Sequence, residues 1–251
     1  MARPKRILPS TAEGSRSVDA ATDAANGESL TDLAYREIKA AILEGALPPG
    51  LMASEQQIAT RLAMSRTPVH HAIVRLEQDG WIQLLPRRGL QIAPISPADM
   101  HDVYETLLVL EVAAAGRLAS LGLRDGDPAL VAIETACLEG EAALTKGDLS
   151  AWLAADARFH TLVVESSGNR HITRLARSML EYAQRARQVT LKLRPHPSSS
   201  NEDHRAILAA LKAGDEALAR ERMRAHRSRG MAVLLPILEA LSVNAEFLHG
   251  S

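Results

Sequence analysis

Four side chains in the second half of the chain have the types and spacing to hold a metal ion. Asp156 and His160 stand four residues apart, so on a helix they share a face and can ligate one ion. His204 and His226 fall on two later helical segments. One carboxylate with three imidazoles suits a first-row divalent ion such as Zn²⁺, Ni²⁺ or Mn²⁺. An aspartate and a histidine at this spacing also form an ordinary surface hydrogen bond, so the pair alone leaves both readings open.

Nearer the start, residues 54–92 carry chemistry suited to duplex DNA. Ser54 and Gln57 form a capping-box pattern at the head of a short helix whose apolar face is Ile58, Ala59 and Leu62. Ala63 and Met64 make a turn. Ser65 then caps a second helix, with Pro68 in its first turn and Gly80 at its end. Val69, Ala72, Ile73 and Leu76 are its buried stripe, which leaves Arg66, Thr67, His70, His71, Val74 and Arg75 outside. Arginine can bond guanine edges in two places, and short hydroxyl side chains can reach phosphates or bases. Trp81, Ile82, Leu84 and Leu85, then Leu90 and Ile92, read as two strands. Pro86, Arg87, Arg88 and Gly89 form the turn between them, able to bring charge close to a phosphate backbone. The order predicts a winged helix-turn-helix.

A further helix is predicted over residues 31–44, with Leu33, Ala34, Ile38, Ala41 and Ile42 on one face, followed by the connector Leu47-Pro48-Pro49-Gly50. With that connector, Ser54-Glu55, Leu62, Ser65-Arg66-Thr67-Pro68-Val69, Arg75-Leu76-Glu77, Asp79-Gly80 and Pro86-Arg87-Arg88-Gly89, the segment resembles the GntR family of bacterial transcription regulators. The resemblance implies DNA contacts from Arg66, Thr67, Arg75, Arg87, Arg88 and Gly89. Gln56 and His70 stand where many members carry a DNA-contacting arginine. Both can still donate to bases or phosphates, with less counterion release from a neutral donor.

The 251 residues suffice for two modest domains. Aromatics are only 3%, and alanine and leucine abound, which favours helix packing over a β-sandwich. A net charge of -1 excludes a wholly basic DNA coat and fits one local basic face. A single cysteine, Cys137, excludes an internal disulfide and suits a reducing cytoplasm. No apolar run reaches the ~18 residues of a membrane helix. Residues 1–29 are expected to be a disordered arm, a floppy solvated end whose alternative role is contact of Arg3, Lys5 and Arg6 with DNA phosphates.

After residue 97 the pattern turns helical, over 97–121, 128–146, 149–166, 170–192, 201–213 and 215–230, with a last segment near 231–247. The fold class is therefore mainly α: an N-terminal winged helix-turn-helix over 30–95, then an all-α bundle of six or seven helices over 97–240, and a tail over 241–251. The stretches Asp156-Ala157-Arg158-Phe159-His160, Ser167-Gly168-Asn169, His204-Arg205-Ala206-Ile207 and Met223-Arg224-Ala225-His226 resemble the ligand-binding FCD domain of the FadR subfamily. The resemblance implies that Asp156, His160, His204 and His226 hold a divalent metal at the floor of an effector cavity, where small organic acids bind. Arg185 and Arg187 are the candidate effector-binding cations. Many members have an arginine two residues after the Tyr-Glu of the first helix; here Leu107 follows Tyr104-Glu105, which favours a less charged effector or a core position.

The expected protein is a homodimeric, effector-responsive repressor of a palindromic operator, and not an enzyme. Two rivals use the same residues. One is a metal-dependent hydrolase, which would need a second carboxylate as base. The other is a metal-sensing or constitutive repressor with a purely structural metal, which a closed apolar cavity would support.

Overall fold

The computed structural model describes residues 28–249. The proposed disordered arm lies, except for its last two residues, outside the described residues. The chain divides into two compact units between Pro94 and Ile95.

In the first unit, Ser29 caps α1 (Leu30–Leu43), accepting from the Asp32 backbone N–H at 3.1 Å, and Ala34, Ile38 and Ile42 face inward. Ser54 caps α2 (Glu55–Leu62) through a complete capping box with Gln57. Such a cap contributes about 1 kcal/mol. Ala63 closes α2 in the left-handed region, which turns the chain into α3 (Arg66–Gln78). Ser65 occupies the position before α3 as expected, but its side chain makes no capping bond. The stripe of α3 is buried as the spacing requires, with Pro68 added to it. Strands β2 (Ile82–Leu85) and β3 (Gly89–Ile92) form the hairpin. A two-residue strand missed by the periodicity, β1 (Met52–Ala53), completes a sheet of order β1-β3-β2, with Ala53 opposite Leu90. Two residues carry no readable alternation.

The second unit contains, among the described residues, six α-helices: α4 (Pro97–Ser120), α5 (Pro128–Thr145), α6 (Leu149–Ser166), α7 (Arg170–Thr190), α8 (Ser198–Lys212) and α9 (Glu216–His249). The break expected at residue 230 is absent, and the boundary expected at residue 240 falls inside α9. Gly230 costs a helix about 1 kcal/mol. On one side of it Ala219 and Met223 are buried in one core, and on the other Leu234 and Leu238 in a second. Met223, Leu234 and Leu238 each gain more by burial than the glycine loses.

Those two cores bracket the polar residues of interest. On α4, Glu111 falls between Leu107 of one core and Val112 of the other; on α9, His226 and Arg227 fall between Met223 and Leu234. Cys137 packs in the larger core, where burial pushes its thiol up to about 12, so it serves as an apolar filler. No helix of the described residues is long and apolar enough to cross a membrane.

Candidate functional site

The first unit presents an exposed polar face. Arg66 and Thr67 open α3 at its N-terminus, where the helix dipole favours anions, and both are exposed with His70 and His71. His70 Nδ1 lies 3.0 Å from Glu55 Oε1, which orients its ring from α2. Gln56 is exposed and reaches Thr60 Oγ1 at 3.4 Å. Arg75 is half exposed and reaches the first helix. Its Nη1 donates to Asp32 at 2.9 Å and its guanidinium covers the Tyr35 ring at 4.1 Å, so it ties α3 to α1.

At the hairpin tip, Arg88 N–H closes a four-residue turn on the Leu85 carbonyl at 2.9 Å, with Pro86 second and Arg87 third at φ 64°. That is a type II pattern, which normally takes glycine at the third position. Arg87 and Arg88 are exposed. Gly89 has a structural reason of its own: at φ 90° a Cβ there would sit 2.4 Å from the Ala53 carbonyl oxygen. Its close approach is to β1.

The second unit gathers its candidates inside. The side chains of His160 on α6, His204 on α8 and His226 on α9 converge, and all three are buried. His226 Nε2 lies 3.2 Å from His160 Nε2 and 3.3 Å from His204 Nε2. Carboxylates hold the far nitrogens of two rings. His160 Nδ1 donates to Glu111 Oε1 at 2.8 Å, and His226 Nδ1 donates to Asp203 Oδ2 at 3.2 Å. Each carboxylate orients its ring so that the Nε2 atoms face each other. His204 stacks on Phe159, with centroids 3.9 Å apart and 14° between the planes.

Asp156 stands at the edge of this group. Its Oδ1 is 3.6 Å from His204 Nε2 and 3.4 Å from Ser200 Oγ, while its other oxygen is bonded by Arg187. Burial would raise the Asp156 carboxyl, but Arg187 and the imidazoles outweigh it and hold it below the usual carboxylate range. Burial, aided by the Arg227 charge, drives His160 well below its usual value; burial and then His226 lower His204 to about 3. Asp203 falls to about 2, because bonds from His226 and Arg229 exceed the opposing effect of burial.

The sequence reading missed Glu111, Asp203, Arg194 and Arg227. Glu111 is fully buried and also bonded by Arg227. In the sequence it interrupts the otherwise apolar stretch 107–116, and that interruption is the available signal, since a buried carboxylate needs partners. Leu107 lies fully in the core and Arg185 is buried on α7. A cavity of about 90 Å³ adjoins the cluster, lined among others by Tyr104, Asp156, Arg187, Arg194, Ser200 and His226.

Residues 30–92 match the model of the bacterial regulatory proteins of the gntR family, and residues 102–229 match the FCD domain. An uncharacterized HTH-type transcriptional regulator from the TAR-I ttuE-ttuC' intergenic region of Agrobacterium vitis is 38% identical over 166 residues, covering 65% of this chain and 97% of that protein. The HTH-type transcriptional repressor RspR of Escherichia coli is 28% identical over 131 residues, 52% of this chain and 56% of that one. The solved structure of E. coli McbR/YncC shares the fold with a TM-score of 0.72 at 21% identity, covering 82% of this chain and 97% of that one. An exposed helix-turn-helix face and a helical second unit that matches the FCD domain therefore belong together: the chain is a member of the GntR family of bacterial HTH-type transcription regulators, with an FCD domain, and not an enzyme.

Proposed function

We propose that the protein is a metal-dependent, effector-switched repressor of the FadR subfamily, acting in the cytoplasm as a homodimer on a palindromic operator. The observation that carries this reading is the convergence of three imidazole Nε2 atoms, with His226 Nε2 standing 3.2 Å from His160 Nε2 and 3.3 Å from His204 Nε2. Ring nitrogens this close need a cation between them, either a shared proton or a metal ion. Zn–N bonds of ~2.0–2.1 Å at tetrahedral angles put neighbouring nitrogens roughly 3.3 Å apart, so the spacing fits a divalent ion. His160, His204 and His226 would hold it, with Asp156 able to supply a fourth ligand through Oδ1. When bound, the ion supplies an electrophilic position for an oxygen donor of the effector.

The adjoining cavity supports an effector over a purely structural metal, because its lining is polar and cationic. A hydrolase lacks its base among the described residues. Glu111 is engaged by Arg227 and His160, and Asp203 by His226 and Arg229. In the first unit, two symmetry-related copies of α3 would each read one operator half-site. The effector would act by binding one arrangement of the dimer better than the other. Repression suits a protein that occupies its operator without effector, and the related E. coli protein is named a repressor. A thermal-shift screen of small acids with and without zinc tests the reading: a ligand that stabilises only the zinc-loaded protein and alters operator affinity is expected. Stabilisation that ignores zinc would contradict it.

A further inference from the structure

The cavity beside the histidines is lined by four arginines and two aspartates, and even with the nearby Glu111 counted one cation is left without a carboxylate. Among the charged residues lining it, Arg187 is bonded to Asp156 and Arg229 to Asp203, while Arg227 is bonded to the nearby Glu111. Arg194 makes no ion pair among the described residues, and its Nε and Nη1 are shielded from solvent without a hydrogen-bond partner. Arg187 Nε and Arg227 Nη2 are likewise shielded and unpartnered. Buried guanidinium donors are ordinarily satisfied, because leaving them unpaired forfeits hydration with nothing in return. Three such groups around one cavity describe a receptor for oxygen acceptors.

Arg194 is also held in place by its backbone. It follows a 3₁₀ turn (Leu191–Leu193), adopts an extended conformation at φ −86° and ψ 151°, and precedes Pro195 and Pro197. Proline fixes its own φ and restricts the residue before it, so the connector between α7 and α8 presents Arg194 with little freedom. The cavity's size bounds the ligand. At ~10–15 Å³ per water, its roughly 90 Å³ accepts a molecule of about ten non-hydrogen atoms or fewer.

We infer that Arg194 is the anion-selecting residue of this regulator: it receives the carboxylate of a small organic acid whose second oxygen donor faces the histidine cluster. This deepens the proposed function and rests on it. Arg187, a candidate for the same task, already bonds Asp156 and contributes only its Nε. The planar guanidinium suits a carboxylate better than a point charge does, and its fixed charge makes an uncharged analogue a poor substitute.

The test uses the full chain, zinc-loaded and zinc-free, in a thermal-shift panel of acetate, lactate, malonate, malate, inorganic phosphate and uncharged malonamide. At least one carboxylate is expected to stabilise the zinc-loaded protein where malonamide does not. In R194Q the apparent affinity for that acid should fall at least tenfold with zinc content retained, and R194K should recover part of it. Should R194Q lose zinc, the comparison rests on R194K, which must bind the acid more weakly than the unaltered protein. An acid that binds R194Q or R194K equally well would overturn the assignment. So would phosphate or malonamide matching the best acid, or a panel in which no acid stabilises. A response lost in R194Q but indifferent to zinc would sink the metal reading and leave Arg194 in its role.

Discussion

The two units use their polar side chains in opposite ways. On the first, Arg66, Thr67, His71 and the Arg87-Arg88 tip stand in solvent. In the second, Glu111, Asp156, His160, Arg187 and Arg227 are buried, Glu111 bonded to His160 and Arg227, and Asp156 to Arg187. An exposed cation gains little from its own protein, so its worth appears only when a partner arrives. A buried charge is costly alone, so each needs its counterpart for the unit to fold at all. Substitutions on the first face should therefore cost binding and spare stability, whereas substitutions in the second cluster should cost both.

The largest contrast is expected at Glu111. Glu111→Ala leaves the Arg227 guanidinium buried without its carboxylate and frees the His160 ring. Breaking such a pair costs about 3–5 kcal/mol, which urea unfolding would register. Metal affinity should fall by roughly 10–100-fold, as for other groups that orient a ligating histidine. A variant as stable as the unaltered protein would refute the picture of an interdependent buried cluster.

Acid should also separate the units. His160 and His204 are held neutral well below the usual histidine value of 6.5. Below pH 6.5 the unfolded chain binds protons that the folded one refuses. Stability is therefore fully present above that pH and is lost as pH falls toward the value of about 3 for His204. Each group steepens the loss by up to about 1.4 kcal/mol per pH unit. Chelator-treated protein, free of metal–proton competition, should show this slope in the unfolding of its second unit. A flat profile between pH 6.5 and 5 would count against buried neutral imidazoles.

On the exposed face, Arg66→Ala should weaken operator binding by about 1–3 kcal/mol if its contact is bidentate to a base. Fold stability should stay within roughly 0.5 kcal/mol. Fluorescence anisotropy and thermal unfolding of the same sample give both values. A loss of stability as large as the loss of binding would erase the distinction between the units. The smallest effect lies at the tip. Arg87 sits at φ 64°, a conformation costing a side-chain-bearing residue about 1 kcal/mol or more. Arg87→Gly should stabilise the first unit by about that amount while weakening DNA binding. An unaltered DNA affinity would remove Arg87 from the interface.

The same contrast explains what the sequence makes legible. The first unit is written in local code. Ser54 and Gln57 cap within one turn of each other, and the stripe of α3 repeats at helical spacing. The exceptions are long-range. Arg75 is claimed by Asp32, forty-three positions away, and Gly89 is required by Ala53. In the second unit, helix positions follow from periodicity, but the partners of the histidines do not. Glu111 and His160 are separated by forty-nine positions and Arg227 and Glu111 by more than a hundred. No periodic pattern carries such pairings. The continuity of α9 through Gly230 was hidden for the same reason, since only packing on both cores outweighs the glycine.

The most direct test of the account is X-ray absorption at the zinc edge on the zinc-loaded full chain, compared with His160→Ala. One ion per chain is expected, with histidine nitrogens at ~2.0–2.1 Å. The imidazole scattering of the ordered site should be lost in the variant. A zinc spectrum unaltered by His160→Ala, or one dominated by water and exposed carboxylates, would contradict it.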